Sequence, residues 1–264
     1  MRSSEAWQAG SGEPVPAGQG ERRGDGDLLP LLFLPGNMCD ERLWEGVAPA
    51  FSGTGRALHF ADLTGQSSIE EMAGAVLAGA PEGRLVAVGF SMGAIAALAL
   101  ARRAPERLAG LVLIALNASA DLPERSAVRP GQQRRVAEGG LAQVVAEELK
   151  PNYLAAANRR DPALLRLTMQ MALDLGPEVF VRQSEALRTR PDLRPVLDGL
   201  AVPTLLLRGA EDALCPPQWH RDWAERVGAS ARLKVIEGAG HLLPLERPVE
   251  TRQALLGWLS GMRI

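Results

Sequence analysis

From Leu28 onward the chain alternates between short, continuous apolar runs and longer stretches of helical character. The runs are LLPLLFLPG (28–36), RLVAVGF (84–90), LAGLVLIAL (108–116), VPTLLLRG (202–209) and ARLKVIEG (231–238), each rich in Leu, Val or Ile and closed by turn residues. GRALHFADL (55–63) is a weaker sixth. Apolarity that is continuous rather than alternating marks a strand buried on both faces. Helices are expected over 68–80, 92–104, 217–227 and 248–259. Strand and helix in alternation predict βαβ units, and so an α/β fold with a mostly parallel sheet flanked by helices.

One interval breaks the rhythm. Between about 120 and 200 there is no convincing strand, and prolines recur at 123, 130, 151, 162, 177, 191 and 195. Proline fits the first turn of a helix and disrupts its interior, so the spacing predicts repeated helix starts. A helical block between two strands is expected to form a cap over one end of the sheet. The domain reading is a flexible leader (1–27), a core (28–119 and 201–264) and a helical cap (120–200). Basic and acidic residues in the cap are balanced and are expected to face solvent.

Composition narrows the function. Apolar residues are 46% of the chain and aromatics only 4%, so the core rests on Ala, Leu and Val. A net charge of -2 offers no electrostatic reason for nucleic acid or an anionic membrane as a partner. The leader has no apolar stretch of secretory length, and no segment has the ~18 uncharged apolar residues of a membrane span. The expectation is a cytoplasmic protein without stable membrane association. Cys39 and Cys215 are too few for a disulfide framework and are expected to be free thiols.

The sharpest chemical feature is Gly89-Phe90-Ser91-Met92-Gly93, placed where a predicted strand ends and a predicted helix begins. In that position G-x-S-x-G makes a strained turn that pushes the serine outward, with a helix N-terminus behind it. The five residues alone could arise by chance; strand before and helix after make them a nucleophile candidate. A serine hydroxyl needs a base. Of three histidines, His59 falls in the weak strand run and His220 in a helix among charged neighbours, where it is expected to be exposed. His241 follows the last strand run in a Gly-Ala-Gly turn, at the sheet edge where Ser91 lies. Asp212, after VPTLLLRG, is the favoured acid, with Glu211 beside it as an alternative; the rival position after LAGLVLIAL offers Asn117 and, further on, Asp121. Oxyanion donors are expected from the backbone N–H groups of Met92 and Asn37. No His/Cys/Asp cluster has ligand spacing, so no metal or other cofactor is expected.

LFLPGNMCDERLW, GFSMG, LRGAED and GAGHLLPLERP together resemble the signature segments of capped α/β-hydrolase esterases. That group includes bacterial carboxylesterases, the methyl-ester esterase acting on pimeloyl acyl carrier protein, enol-lactonases and cofactor-free haloperoxidases. The resemblance spans about residues 28–262. It implies an α/β-hydrolase fold with the cap inserted after the sixth strand, a triad of Ser91, Asp212 and His241, oxyanion amides from Asn37 and Met92, and a tryptophan, Trp44, near the oxyanion loop. Two features depart from the family. Pro35 stands where a histidine is usual, and the leader lacks the two strands that normally begin the fold. That leaves about six parallel strands, or irregular first strands. The implied reaction is hydrolysis of a carboxylic ester through an acyl-enzyme, on a small-molecule acyl substrate. Thioester hydrolysis, lactone opening, carbon–carbon cleavage and perhydrolysis use the same triad and stay open, as does a ligand receptor on the same fold. Apolar cap residues such as Leu141, Val144 and Phe180 are expected chiefly to pack cap helices together, and no basic residue stands out as a clamp for a substrate carboxylate.

Overall fold

In the computed structural model, which describes residues 28–149 and 153–262, six strands form one parallel sheet: β1 (Leu31–Leu34), β2 (Leu58–Phe60), β3 (Leu85–Phe90), β4 (Leu108–Ile114), β5 (Thr204–Gly209) and β6 (Ala231–Ile236). Their order across the sheet is β2-β1-β3-β4-β5-β6. The leader lies outside the described residues. The four central strands are buried along their whole length, and successive side chains feed opposite layers. In β3, Leu85 and Ala87 join one core and Val86, Val88 and Phe90 the other; Leu111 and Leu113 against Val112 and Ile114 repeat the division in β4. The expected two-sided burial fails at the edges: β6 alternates in exposure, and β2 leaves Phe60 exposed. An edge strand lacks a neighbour on one side, so the covering layers do not close over it.

The helices that position the site are α1 (Ile69–Gly79), α2 (Met92–Arg103), α3 (Pro123–Arg135), α4 (Pro162–Arg188), α5 (Pro217–Val227) and α6 (Pro248–Ser260). A capping box starts α1, with Ser68 Oγ accepting from the Glu71 amide and the Glu71 carboxylate accepting from the Ser68 amide. α2 is buried from Met92 to Ala101, and its five alanines in that span let it sit close on the sheet. The segment between β4 and β5 holds α3, α4 and shorter helical pieces, with no strand among its described residues. This insertion follows the fourth of the six described strands, where the sequence reading placed it after the sixth.

Prolines at 123 and 162 open helices as expected, and α4 breaks at Gly176-Pro177, where Gly176 has φ 84°. Pro130 instead lies inside α3. α3 has a single buried residue, Gln132, so the carbonyl that loses its donor to Pro130 belongs to a helix near solvent. No helix among the described residues is long and apolar enough to cross a membrane.

Candidate active site

The strand order reverses between β1 and β3, and a parallel sheet opens a crevice beyond its carboxyl edge at such a point. Asn37 leaves β1 and Ser91 leaves β3, so the two meet across that crevice. Among the described residues, three non-glycine residues have positive φ: Met38 (52°), Ser91 (50°) and Ala115 (52°). They follow β1, β3 and β4, three adjacent strands, so the strain gathers at one edge. Ser91, with ψ -111°, costs on the order of 1–3 kcal/mol. Its amide donates to the Ile114 carbonyl at 2.8 Å, and its own carbonyl accepts from Ala94 and Ile95. Gly93 is required here: a Cβ would stand 2.2 Å from the Leu34 carbonyl oxygen.

His241 comes from the far edge and has to reach back over β5. The turn before it runs directly against the end of β5, where a Cβ on Gly209 would lie 2.0 Å from the Gly240 carbonyl oxygen. The Glu211 amide donates to Ala239, and the His241 amide donates to Tyr153 at 2.7 Å. Buried Glu246 completes the clamp, accepting from Gly240 N, Ala155 N and Asn158 Nδ2 at 2.9, 2.7 and 2.8 Å. The ring thus delivered has Nε2 2.9 Å from Ser91 Oγ and Nδ1 2.9 Å from Asp212 Oδ2. Asp212 Oδ1 accepts from the amides of Leu214 and Cys215. Burial alone would raise the Asp212 carboxyl. The adjacent His241 and these two amides outweigh it and hold the group below the ordinary carboxylate value.

The structure brings Ser91, His241 and Asp212 together. Glu211 turns away, its carboxylate accepting from the Ala156 amide, and Asp121 is committed to Arg129 and Arg190. Neither the Asn37 nor the Met92 N–H has a protein acceptor among the described residues. Trp44 is buried against Phe33 of β1, ring centroids 5.1 Å apart, and His59 is half-buried in edge strand β2. Leu141, Val144 and Phe180 of the insertion pack in one cluster that also takes in Met38, from the loop after β1. Both cysteines are buried free thiols.

Two expectations need correction. His220 is fully buried, not exposed, and neither ring nitrogen has a partner. It shares the inner face of α5 with Trp223 and Val227, while its charged sequence neighbours occupy the other face. Burial pushes its pKa down to about 4. The insertion's charges do not all face solvent either. Arg125, Arg129 and Arg190 line a cavity of about 240 Å³ together with Ser91, His241 and Tyr153. Gln183, which the sequence did not single out, is also buried; its Oε1 accepts from the Met38 amide and Asn37 Nδ2, and its Nε2 donates to Leu63. Their sequence signal is faint, because Gln183, Arg190 and Glu246 only acquire roles through contacts with distant loops.

Asp212, Cys215 and His241 place ligand-type atoms within 4.8 Å of one another, a grouping their sequence spacing does not reveal. All three are already engaged: Asp212 with His241 and two amides, His241 also with Ser91, and Cys215 Sγ with the Ala115 carbonyl. Burial, with Asp212 close by, keeps the Cys215 thiol well above its usual range, which disfavours the thiolate a metal would need.

Fold and site together define a doubly covered parallel sheet with serine, histidine and aspartate linked in series at its carboxyl edge. The chain belongs to the alpha/beta hydrolase family, whose sequence pattern it matches over residues 31–254. It is 31% identical over 246 residues to the pimeloyl-[acyl-carrier protein] methyl ester esterase of Sodalis glossinidius, covering 88% of this chain and 93% of that protein. Among solved structures it resembles a thermophilic esterase from Thermogutta terrifontis, with malate bound, at a TM-score of 0.82 and 30% identity, covering 90% and 92% of the two chains. The enol-lactonase of Burkholderia xenovorans LB400 shares the fold at a TM-score of 0.77 and 24% identity, covering 90% and 94%. Esterase names among these relatives agree with the ester-hydrolase reading of the sequence.

Proposed function

We propose that this protein hydrolyses carboxylic esters through an acyl-enzyme formed on Ser91. The observation that carries this reading is the unbroken series Ser91 Oγ, His241 Nε2, His241 Nδ1, Asp212 Oδ2, with 2.9 Å at both hydrogen bonds. His241 Nε2 takes the hydroxyl proton as Oγ attacks the ester carbonyl. The Asn37 and Met92 amides receive the negative oxygen of the tetrahedral intermediate, which then collapses. The alcohol leaves with the proton returned by His241, and a water molecule repeats the sequence on the acyl-enzyme to release the acid. Asp212 keeps the Nδ1 proton in place, so that Nε2 is free to act as base, and stabilises the imidazolium.

The helical insertion serves as the cap of this site. Its Tyr153 ring lies 5.7 Å from His241, and its α3 face forms one wall of the cavity. The substrate is a small acyl compound, and the chemistry calls on no metal. Turnover of matched esters, thioesters and lactones, in the wild type and in Ser91→Ala, tests the reading. Ester cleavage that disappears with Ser91 is the expected result. Preference for a thioester or lactone would transfer the reaction to another acyl class, and turnover surviving in Ser91→Ala would overturn it.

A further inference from the structure

The wall facing Ser91 has an unbalanced charge. On α3, Arg125, Val128, Arg129 and Gln132 fall at helical spacings of three and four and together line the cavity. Arg190, just beyond α4, joins them from the other side. Among the described residues, no Asp or Glu lines this cavity. The nearby carboxylate is Asp121, buried behind the wall, which pairs with Arg129 and Arg190, Oδ2 and Oδ1 each accepting at 2.7 Å. Arg190 is itself 5% exposed and spends further donors on the carbonyls of Ser119 and Leu187. Arg125 has no carboxylate partner among the described residues; its one hydrogen bond goes to the Leu214 carbonyl at 3.0 Å. Against these three guanidinium groups stands Asp121; Asp212, the other carboxylate near the cavity, is spent on His241 and on the amides of Leu214 and Cys215, so Arg125 is left as a cation without a carboxylate partner at the wall of the site.

A second observation points the same way. Asn117, 6% exposed, lines the same cavity, and its Nδ2 has no hydrogen-bond partner. Its Oδ1 is already used by the Ser119 amide. A buried donor left unpaired is costly, on the order of 1–3 kcal/mol, unless a ligand or water satisfies it. The site therefore offers cationic donors and an idle amide donor, with no carboxylate among its described lining residues. The cavity of about 240 Å³ lies below the usual range for ligand pockets, roughly 300–1,000 Å³, which favours a short substrate.

We infer that the ester cleaved at Ser91 carries a second, ionised carboxylate, which binds against Arg125 and Arg129 with Arg190 behind them. The substrate class is a half-ester of a short dicarboxylic acid, or the acyl ester of a short hydroxy acid; both present an ester and a carboxylate within one small molecule. Hydrolysis adds water across the acyl–oxygen bond and gives one acid and one alcohol in either case. The inference rests on the esterase reading for its reaction but not for its binding site. Arg suits this role because its planar donors meet a carboxylate in pairs.

The test compares kcat/KM for monoethyl glutarate with its neutral isostere ethyl 5-methylhexanoate, and for a 3-acetoxypropionate with the matching neutral acetate ester, in the wild type, Arg125→Gln and Arg125→Lys. The wild type should favour the anionic member of one pair by at least tenfold, and which pair shows it tells on which side of the ester the carboxylate sits. Arg125→Gln should cut that preference about 10- to 100-fold, mostly through KM, with partial recovery in Arg125→Lys. Equal rates for anionic and neutral members in both pairs, or equal losses for both in Arg125→Gln, would overturn the inference. Calorimetric binding of glutarate to Ser91→Ala separates this from the esterase reading. If no ester is cleaved, glutarate binding that is lost with Arg125→Gln still upholds the anion site, and absence of binding removes it.

Discussion

The substitution Asp212→Asn removes one charge and keeps the shape of the side chain, so its effect isolates what the carboxylate does for His241. In the native site Oδ1 accepts two backbone amides, from Leu214 at 2.8 Å and Cys215 at 3.0 Å, while Oδ2 faces His241 Nδ1 at 2.9 Å. Asn has one acceptor atom and one donor group. Two fixed amides can be met only by its oxygen, which leaves the NH₂ pointing at Nδ1. Nδ1 must then accept, the ring proton moves to Nε2, and Nε2 donates to Ser91 Oγ where it should receive a proton. The base is lost although every heavy atom stays in place. The expected cost is about 10³- to 10⁴-fold in kcat/KM, equivalent to about 4–5.5 kcal/mol of transition-state stabilisation. Initial rates of ester hydrolysis against pH, with circular dichroism to verify folding, measure it. Asp212→Asn retaining activity within tenfold of the wild type would refute the tautomer argument.

Other consequences follow from particular buried groups. Gln183→Leu strands the Met38 amide and the Leu63 carbonyl and releases the Asn37 side chain; a lowered Tm and about a tenfold fall in kcat are expected, from thermal melts and steady-state kinetics. His220 is held neutral with its pKa down at about 4, against about 6.5 when unfolded, so the unfolded state binds the proton first. Stability is therefore full above pH 6.5 and declines as pH falls toward 4, by about 2 kcal/mol between pH 7.5 and 5. The lowered Asp212 carboxyl adds nothing in that window, because its contribution is lost only below the ordinary carboxylate range. Urea unfolding at the two pH values should show the slope, and His220→Leu should flatten it. Cys39, its thiol raised to about 12 by burial and by Asp40, and Cys215, raised well above the usual thiol range by burial beside Asp212, should resist a thiol reagent at pH 8 until the protein is unfolded; rapid labelling of both in the native state would contradict their burial.

How legible these features were in the sequence depended on whether the signal was local. β1, β3, β4 and β5 are buried on both faces and so read as unbroken apolar runs, while the same rule overstated β6, an edge strand carrying Arg232 and Lys234. Ser91, Asp212 and His241 were readable because each sits in a loop just beyond a strand, and parallel strands deliver such loops to one edge. The sequence favoured Asp212 with Glu211 as the alternative, and what separates adjacent carboxylates is which way the turn aims them: Asp212 toward His241, Glu211 toward the Ala156 amide. Arg125, Arg129 and Arg190 looked like the solvated charge of a helical segment. Their meaning depends on α3 and the end of α4 converging over the sheet, and Asp121 closing one side of them. His220 was misjudged from its neighbours along the chain, when the neighbours that matter lie three and seven residues on.

The central claim is that Ser91 is a nucleophile activated by His241. Treating the folded protein with a fluorophosphonate and locating the adduct by peptide mass spectrometry tests it most directly. The expected result is a single adduct on the peptide containing Ser91, absent in Ser91→Ala and slowed at least a hundredfold in His241→Gln. Folded protein that gains no adduct, or one that labels equally well without Ser91, would contradict the account.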